Sequence, residues 1–93
     1  MLDKKIEWNE DKNTFLKKER NISFESVVVK IELGDILDII KHPNTKKYSK
    51  QRIYIINFDN YVYLVPFVED GKKIFLKTII PSSKYTKTYI NHE

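Results

Sequence analysis

The apolar residues of this chain recur with two different periods, and the change from one to the other falls at Gly34. Before it, Phe24, Val27, Val28 and Ile31 follow the i, i+3, i+4, i+7 spacing of a buried helical face. Ser23 stands where a cap belongs, and Gly34 where a left-handed residue ends a helix. Three valines in a row also fit a strand, but the serine and the glycine favour helix. An earlier helix is expected from the capping Asn9, through the acidic first turn of Glu10 and Asp11, to about Arg20. Its apolar face is thin, with Phe15 and Leu16 as anchors, and Ile6 and Trp8 mark a short extended segment ahead of it.

Beyond Gly34 the pattern is that of strands. Residues 36 to 40 form the first, and His42, Pro43 and Asn44 open a lysine-rich loop through Lys46, Lys47 and Lys50. Residues 53 to 58 and 61 to 68 read as a hairpin about the turn Asp59-Asn60, and a last strand runs from 73 to 80 after Glu69, Asp70 and Gly71. Pro66 cannot donate to a ladder, which predicts an edge or a bulge near it. Pro81 stops the last strand, and residues 82 to 90 form a short polar helical segment.

The order β-α-α-β-β-β-β describes an α+β fold: an antiparallel sheet covered on one face by the two N-terminal helices, with the other face partly open to solvent or to a partner. Strand alternation suggests what lies on that open face. In the last strand Ile74, Leu76, Thr78 and Ile80 make the apolar side, leaving Phe75, Lys77 and Ile79 outward. In the strand before it Val62, Leu64, Pro66 and Val68 are expected to face the helices, which sets Tyr61 and Tyr63 beside Lys77. For residues 53 to 58 both sides are apolar and alternation decides nothing.

Composition narrows the class. With 93 residues, 41% apolar and 13% aromatic, residues 1–93 can bury one core and are read as a single domain. No apolar run approaches the roughly 20 residues of a membrane span, and no basic segment leads into an apolar one at the start. Cysteine is absent, which removes disulfide and thiolate chemistry and fits a reducing cytoplasm. The net charge of +4 is unevenly spread: residues 1 to 40 carry −2 and residues 41 to 93 carry +6. A basic half of this kind suits a polyanion, the alternative being a solubilising lysine surface.

With only Gly34 and Gly71, neither a phosphate-cradling P-loop nor a dinucleotide fingerprint can be built, and no metal-ligand motif is present. No cofactor is expected. Lysine, arginine, tyrosine and histidine do suffice for metal-free RNA cleavage, in which cations stabilise the phosphorane charge and a titratable group moves protons.

The stretch IEWNEDKNTFLKKERNISFESVV, residues 6 to 28, resembles the BrnT family of toxins from bacterial type II toxin–antitoxin systems. Its carriers are Glu7, Trp8, Asn9, Asp11, Lys12, Asn13, Arg20, Ile22, Ser23, Phe24 and Glu25; ILDIIKHPN at 36 to 44 and YLVPFVEDGKKIFLKTIIPSSK at 63 to 84 continue the likeness. The resemblance implies a RelE-like fold, a metal-independent ribonuclease that blocks translation in the cytoplasm, and a cognate antitoxin that silences it. Operator DNA would be met only through the antitoxin complex. The family usually carries arginine just after the last strand; here Ser82, Ser83 and Lys84 stand there, so Lys84 takes the basic role.

The expected catalytic set is therefore Lys77, Lys84, His42, Arg52 and Tyr63, with Arg20, Lys47, Tyr48, Tyr61, Tyr85 and Lys87 binding RNA. The competing expectation is a non-catalytic module that binds RNA or a protein partner through the same basic, tyrosine-bearing sheet face.

Overall fold

The computed structural model describes residues 4–91. Nine elements follow one another: β1 (Lys5–Trp8), α1 (Glu10–Arg20), α2 (Phe24–Glu32), β2 (Asp38–Lys41), β3 (Gln51–Phe58), β4 (Tyr61–Asp70), β5 (Lys73–Leu76), β6 (Ile80–Pro81) and α3 (Ser83–Tyr89). The fold is α+β, as expected, but the sheet is mixed rather than antiparallel. Its strands lie in the order β1-β5-β4-β3-β2, with β6 also on β4. The segment around Ile6 and Trp8 is a full edge strand, parallel to β5 with Ile6 opposite Ile74 and Trp8 opposite Leu76. Ile6 and Trp8 pack into the core, and Trp8 stacks on Phe24 at 5.7 Å.

Local chemistry sets the helices. The Asn9 side chain accepts the Lys12 N–H at 2.9 Å, and Ser23 accepts the Ser26 N–H. Adjacent helical residues point about 100° apart, so only one of Phe15 and Leu16 can face inward. Leu16 does, together with the buried Asn13, while Phe15 is 49% exposed, against the expectation that both anchor α1. Asn13 ties the two helices: its Nδ2 donates to Glu25 Oε1 at 2.7 Å, and its Oδ1 accepts the Phe24 N–H at 2.8 Å. Gly34 takes φ 69°, the left-handed conformation that lets α2 end. Asp59 and Asn60 both have positive φ, as a two-residue hairpin turn requires.

The last strand does not run unbroken from 73 to 80. Phe67 pairs with Leu76, yet Leu64 pairs with Ile80, so the outer chain uses one residue more than β4 over the same stretch. That is a β-bulge, and it falls opposite Pro66, which accepts the Lys77 N–H at 2.8 Å but has no N–H to return. Beyond the bulge the alternation is reversed. Ile79, expected to point outward, is fully buried against the helices, and Ile80 is 40% exposed. Arg20 closes the gap by donating to the Ile79 carbonyl at 2.6 Å.

The phase of β4 is the opposite of that expected. Val65 and Phe67 join Leu16, Phe24, Val27 and Ile31 in the core beneath α1 and α2, and Tyr63 packs against it. Val62 lies on the far face with Ile53 and Ile55, under Tyr85, Tyr89 and Ile90. The α3 helix thus covers part of the second face, which is why both sides of β3 are apolar.

Thr86 fastens α3 down. Its buried hydroxyl accepts the Val62 N–H at 2.8 Å and donates to the Ser82 carbonyl at 2.7 Å. Thr86→Val keeps the shape and leaves the Val62 N–H unsatisfied. It should cost about 1–3 kcal/mol, a fall in Tm of about 4–8 °C per kcal/mol. Thr86→Ser should retain most of that stability, and thermal denaturation of the two variants checks the pair.

Candidate nucleic-acid interface

Register can be followed across the whole sheet. Ile40 opposes Ile53, Ile53 opposes Pro66, and Pro66 holds the Lys77 N–H, so these four side chains share the α3 face. One step along, the His42 N–H bonds to the Gln51 carbonyl at 3.1 Å, Gln51 opposes Val68, and Val68 opposes Phe75. Continuing the ladder in this way brings His42 to the side of Ile40. The α3 face therefore carries His42, Gln51, Val68, Phe75 and Lys77, with Lys84 and Lys87 exposed on α3 itself.

His42 and Lys77 stand at the two sides of this surface. Three strand spacings separate them, roughly 14 Å at about 4.8 Å each. The His42 ring lies 4.3 Å from that of Tyr48, and Lys47 Nζ is 5.2 Å from the Tyr48 ring centre. His42 Nδ1 accepts the Asn44 N–H at 3.1 Å, so the neutral imidazole carries its proton on Nε2. Lys77 Nζ is 5.6 Å from the centre of the Phe75 ring, and Lys84 Nζ is 5.8 Å from that of Tyr85.

The remaining expected site residues lie elsewhere. Tyr63, Tyr61 and Arg52 fall on the face of α1 and α2, with the sheet between them and Lys77. Even-numbered residues of β3 point that way, and Arg52 packs over Phe67 at 5.2 Å. The expectation that Tyr61 and Tyr63 sit beside Lys77 is overturned by the phase of β4. Tyr63 instead borders a cavity of about 340 Å³ between Lys17, Ser23, Ser26 and Phe58. Arg20 is engaged by the Ile79 carbonyl. Phe75 went unselected although alternation already set it beside Lys77; its 37% exposure is what marks it.

Charge separates the two faces further. Arg52 and Lys4 both bond Glu69. The Lys4 ammonium first, with Arg52 beside it, holds the Glu69 carboxyl below its ordinary 4.5. The Asn13 amide does the same for Glu25, helped by that residue's own backbone N–H and by Lys17. Among the described residues, Lys77, Lys84 and Lys87 pair with no carboxylate, nor do Lys41, Lys46, Lys47 and Lys50 around the β2–β3 loop. Tyr89 donates to Asp38 Oδ2 at 2.8 Å, a bond that, with some burial, raises its phenol above 10.

Among the described residues no group of three or more His, Asp or Glu side chains is arranged to hold a metal ion, and no helix is long and apolar enough to cross a membrane. Compared with family models, curated proteins and solved structures, the chain finds no match.

Glu25 and Glu69 titrate below 4.5 in the folded chain, so the unfolded chain takes up protons first as pH falls. The stability they contribute is full above about pH 4.5 and is lost as pH falls through their folded values. Glu69→Gln should lower Tm at neutral pH, and its melting curve should converge with that of the wild type in acid. Tm measured from pH 7 to pH 3 checks this; parallel curves would contradict it.

Proposed function

We propose that this chain is the toxin of a type II toxin–antitoxin pair, a metal-independent endoribonuclease of RelE-like architecture that cleaves mRNA in the cytoplasm. The observation that carries the reading is the α3 face: a sheet surface with Lys77 and His42 one residue beyond the ends of β5 and β2, and Lys84 and Lys87 on the helix across it, its ammonium groups unpaired with carboxylates among the described residues. Two helices on one face, a meander, and a last helix on the other support the RelE-like architecture. The resemblance over residues 6 to 28 adds the toxin class and the cognate antitoxin, with operator DNA reached only through the antitoxin.

Cleavage of this kind turns the ribose 2′-OH on the adjacent phosphorus, leaving a cyclic phosphate and a free 5′-OH. Lys77 and Lys84 stabilise the phosphorane charge, and Tyr85 stands beside Lys84 as a phenol within the same neighbourhood. His42 is too far from Lys77 to act on the same phosphate. With Lys47 and Tyr48 it holds a neighbouring nucleotide, so its role moves from catalysis to binding. Arg52 and Tyr63, on the opposite face, leave the catalytic set, and Arg20 and Tyr61 leave the binding set.

One observation favours a second reading, a non-catalytic RNA-binding or protein-binding module: among the described residues no imidazole lines either hollow beside Lys77. Induced expression decides between them. The first reading expects growth arrest, and cutting of RNA by the purified protein with EDTA present. Lys77→Ala should cut about a hundredfold more slowly, and Arg52→Ala should change cutting little. Harmless expression with no cleavage would leave the binding module, and cleavage abolished by EDTA would refute the metal-free mechanism.

Ser83 is exposed at the first turn of α3, so an arginine fits there without burial. Ser83→Arg should bind RNA more tightly and steepen the salt dependence by about one phosphate contact. Titration of RNA binding at several salt concentrations measures it.

A further inference from the structure

Two phenylalanines are exposed at the end of the sheet where β1 passes into α1. Phe15 is 49% exposed and Phe75 is 37% exposed, and neither packs into the core. Each carries an ammonium beside its ring: Lys12 Nζ is 5.7 Å from the centre of Phe15, and Lys77 Nζ is 5.6 Å from that of Phe75. Lys77 connects the two pairs. It lines a hollow of about 500 Å³ with Asn9, Asp11, Lys12 and Phe15 on one side. It also lines a second, of about 350 Å³, with Phe75, Val68 and Lys73 on the other.

We infer that Phe15, Lys12, Lys77 and Phe75 form a binding track for single-stranded RNA, on which two nucleotides lie with bases against the phenyl faces and phosphates at the lysines. This deepens the reading above and rests on it. A nucleotide joins one flat apolar base to one phosphate, and each Phe–Lys pair offers a flat apolar face with a cation next to it. The pair occurs twice, and Lys77 of the second lines the hollow of the first, which matches a polymer in which base and phosphate repeat. Leu16 and Asn13 already fill the buried side of α1, so Phe15 contributes little to the core that would account for it. Three carboxylates adjoin the track. Glu7 is offset by Lys5 at 3.5 Å and Lys73 at 3.9 Å, while Asp11 lines the first hollow and Asp70 the second. The lysines at the centre of the track have no such neutralisation, which sets the phosphate positions between the two rings.

Fluorescence anisotropy with a short labelled 2′-O-methyl RNA tests the track, because the blocked 2′ oxygen cannot attack phosphorus and the probe survives. Wild-type protein should bind it; Phe15→Ala and Phe75→Ala should each weaken binding roughly tenfold. Lys12→Ala should reduce the salt slope by about one. Leu33→Ala, at an exposed apolar residue just after α2, serves as the control and should bind as the wild type does. Melting curves report folding separately, and both phenylalanines are exposed enough for the variants to fold. Full-strength binding by both Phe variants, together with loss of binding in Lys84→Ala, would overturn the track and leave the RNA reading standing. Absence of binding by the wild type would overturn both. Displacement of the RNA by polyglutamate at equal charge would overturn the nucleotide track in favour of an acidic protein segment.

Discussion

The missing N–H of Pro66 is the constraint on which the arrangement around Lys77 depends. A central strand must satisfy donors and acceptors on both sides, and at Pro66 only the carbonyl can be satisfied. The partner strand ends at Leu76, one residue before the position that needs the missing bond, and takes an extra residue before pairing again at Ile80. Three consequences follow from that one atom. Lys77 is left at the end of a ladder instead of inside it, Ile79 turns into the core, and the Ile79 carbonyl becomes available to Arg20. The C-terminal end of α1 is tied to the bulge through that guanidinium, so helix and sheet position each other.

Both sheet faces are then used, for different purposes. Under α1 and α2 lies the larger core, with Phe24, Phe67, Leu16 and Leu76 fully buried and Tyr54 stacked on Phe67 at 4.1 Å. Its rim is closed by Glu69, which gathers Lys4 and Arg52. On the other face α3 covers only the part over Ile53, Ile55 and Val62. The remainder, from His42 across to Phe75 and Lys77, stays accessible, and among the described residues Lys77 forms no ion pair. A seven-residue helix with mostly polar side chains does not hold itself together in water. Here Thr86, Tyr85 and Tyr89 hold it by bonds and packing to β4 and β2.

Much of the local structure was legible in the sequence because its causes are local. The caps at Asn9 and Ser23, the glycine after α2, and the Asp59-Asn60 turn act within a few residues, and each does what its chemistry predicts. The α+β class followed from the change of period at Gly34. The candidate interface was legible only in part. Lys77 stands out as a cation in an apolar run, whereas Phe75 beside it does not, because one exposed phenylalanine gives no signal in a pattern. Tyr61 and Tyr63 were assigned to the wrong side for a similar reason: with both faces of β4 apolar, hydrophobicity cannot say which face is which.

The sequence by itself determined where the first two helices begin and end, which half of the chain is basic, and that no cysteine chemistry is present. These are properties of single residues and near neighbours. Tertiary structure alone decided that β1 joins the sheet in parallel to β5, that α3 turns the second face into a half-covered one, and that Phe15 faces out beside Lys77. Each depends on pairing between residues far apart in the chain, and on a one-residue bulge that reverses every side chain after it. Periodicity measures the spacing along a strand, and it carries no information about the partner strand that sets its phase.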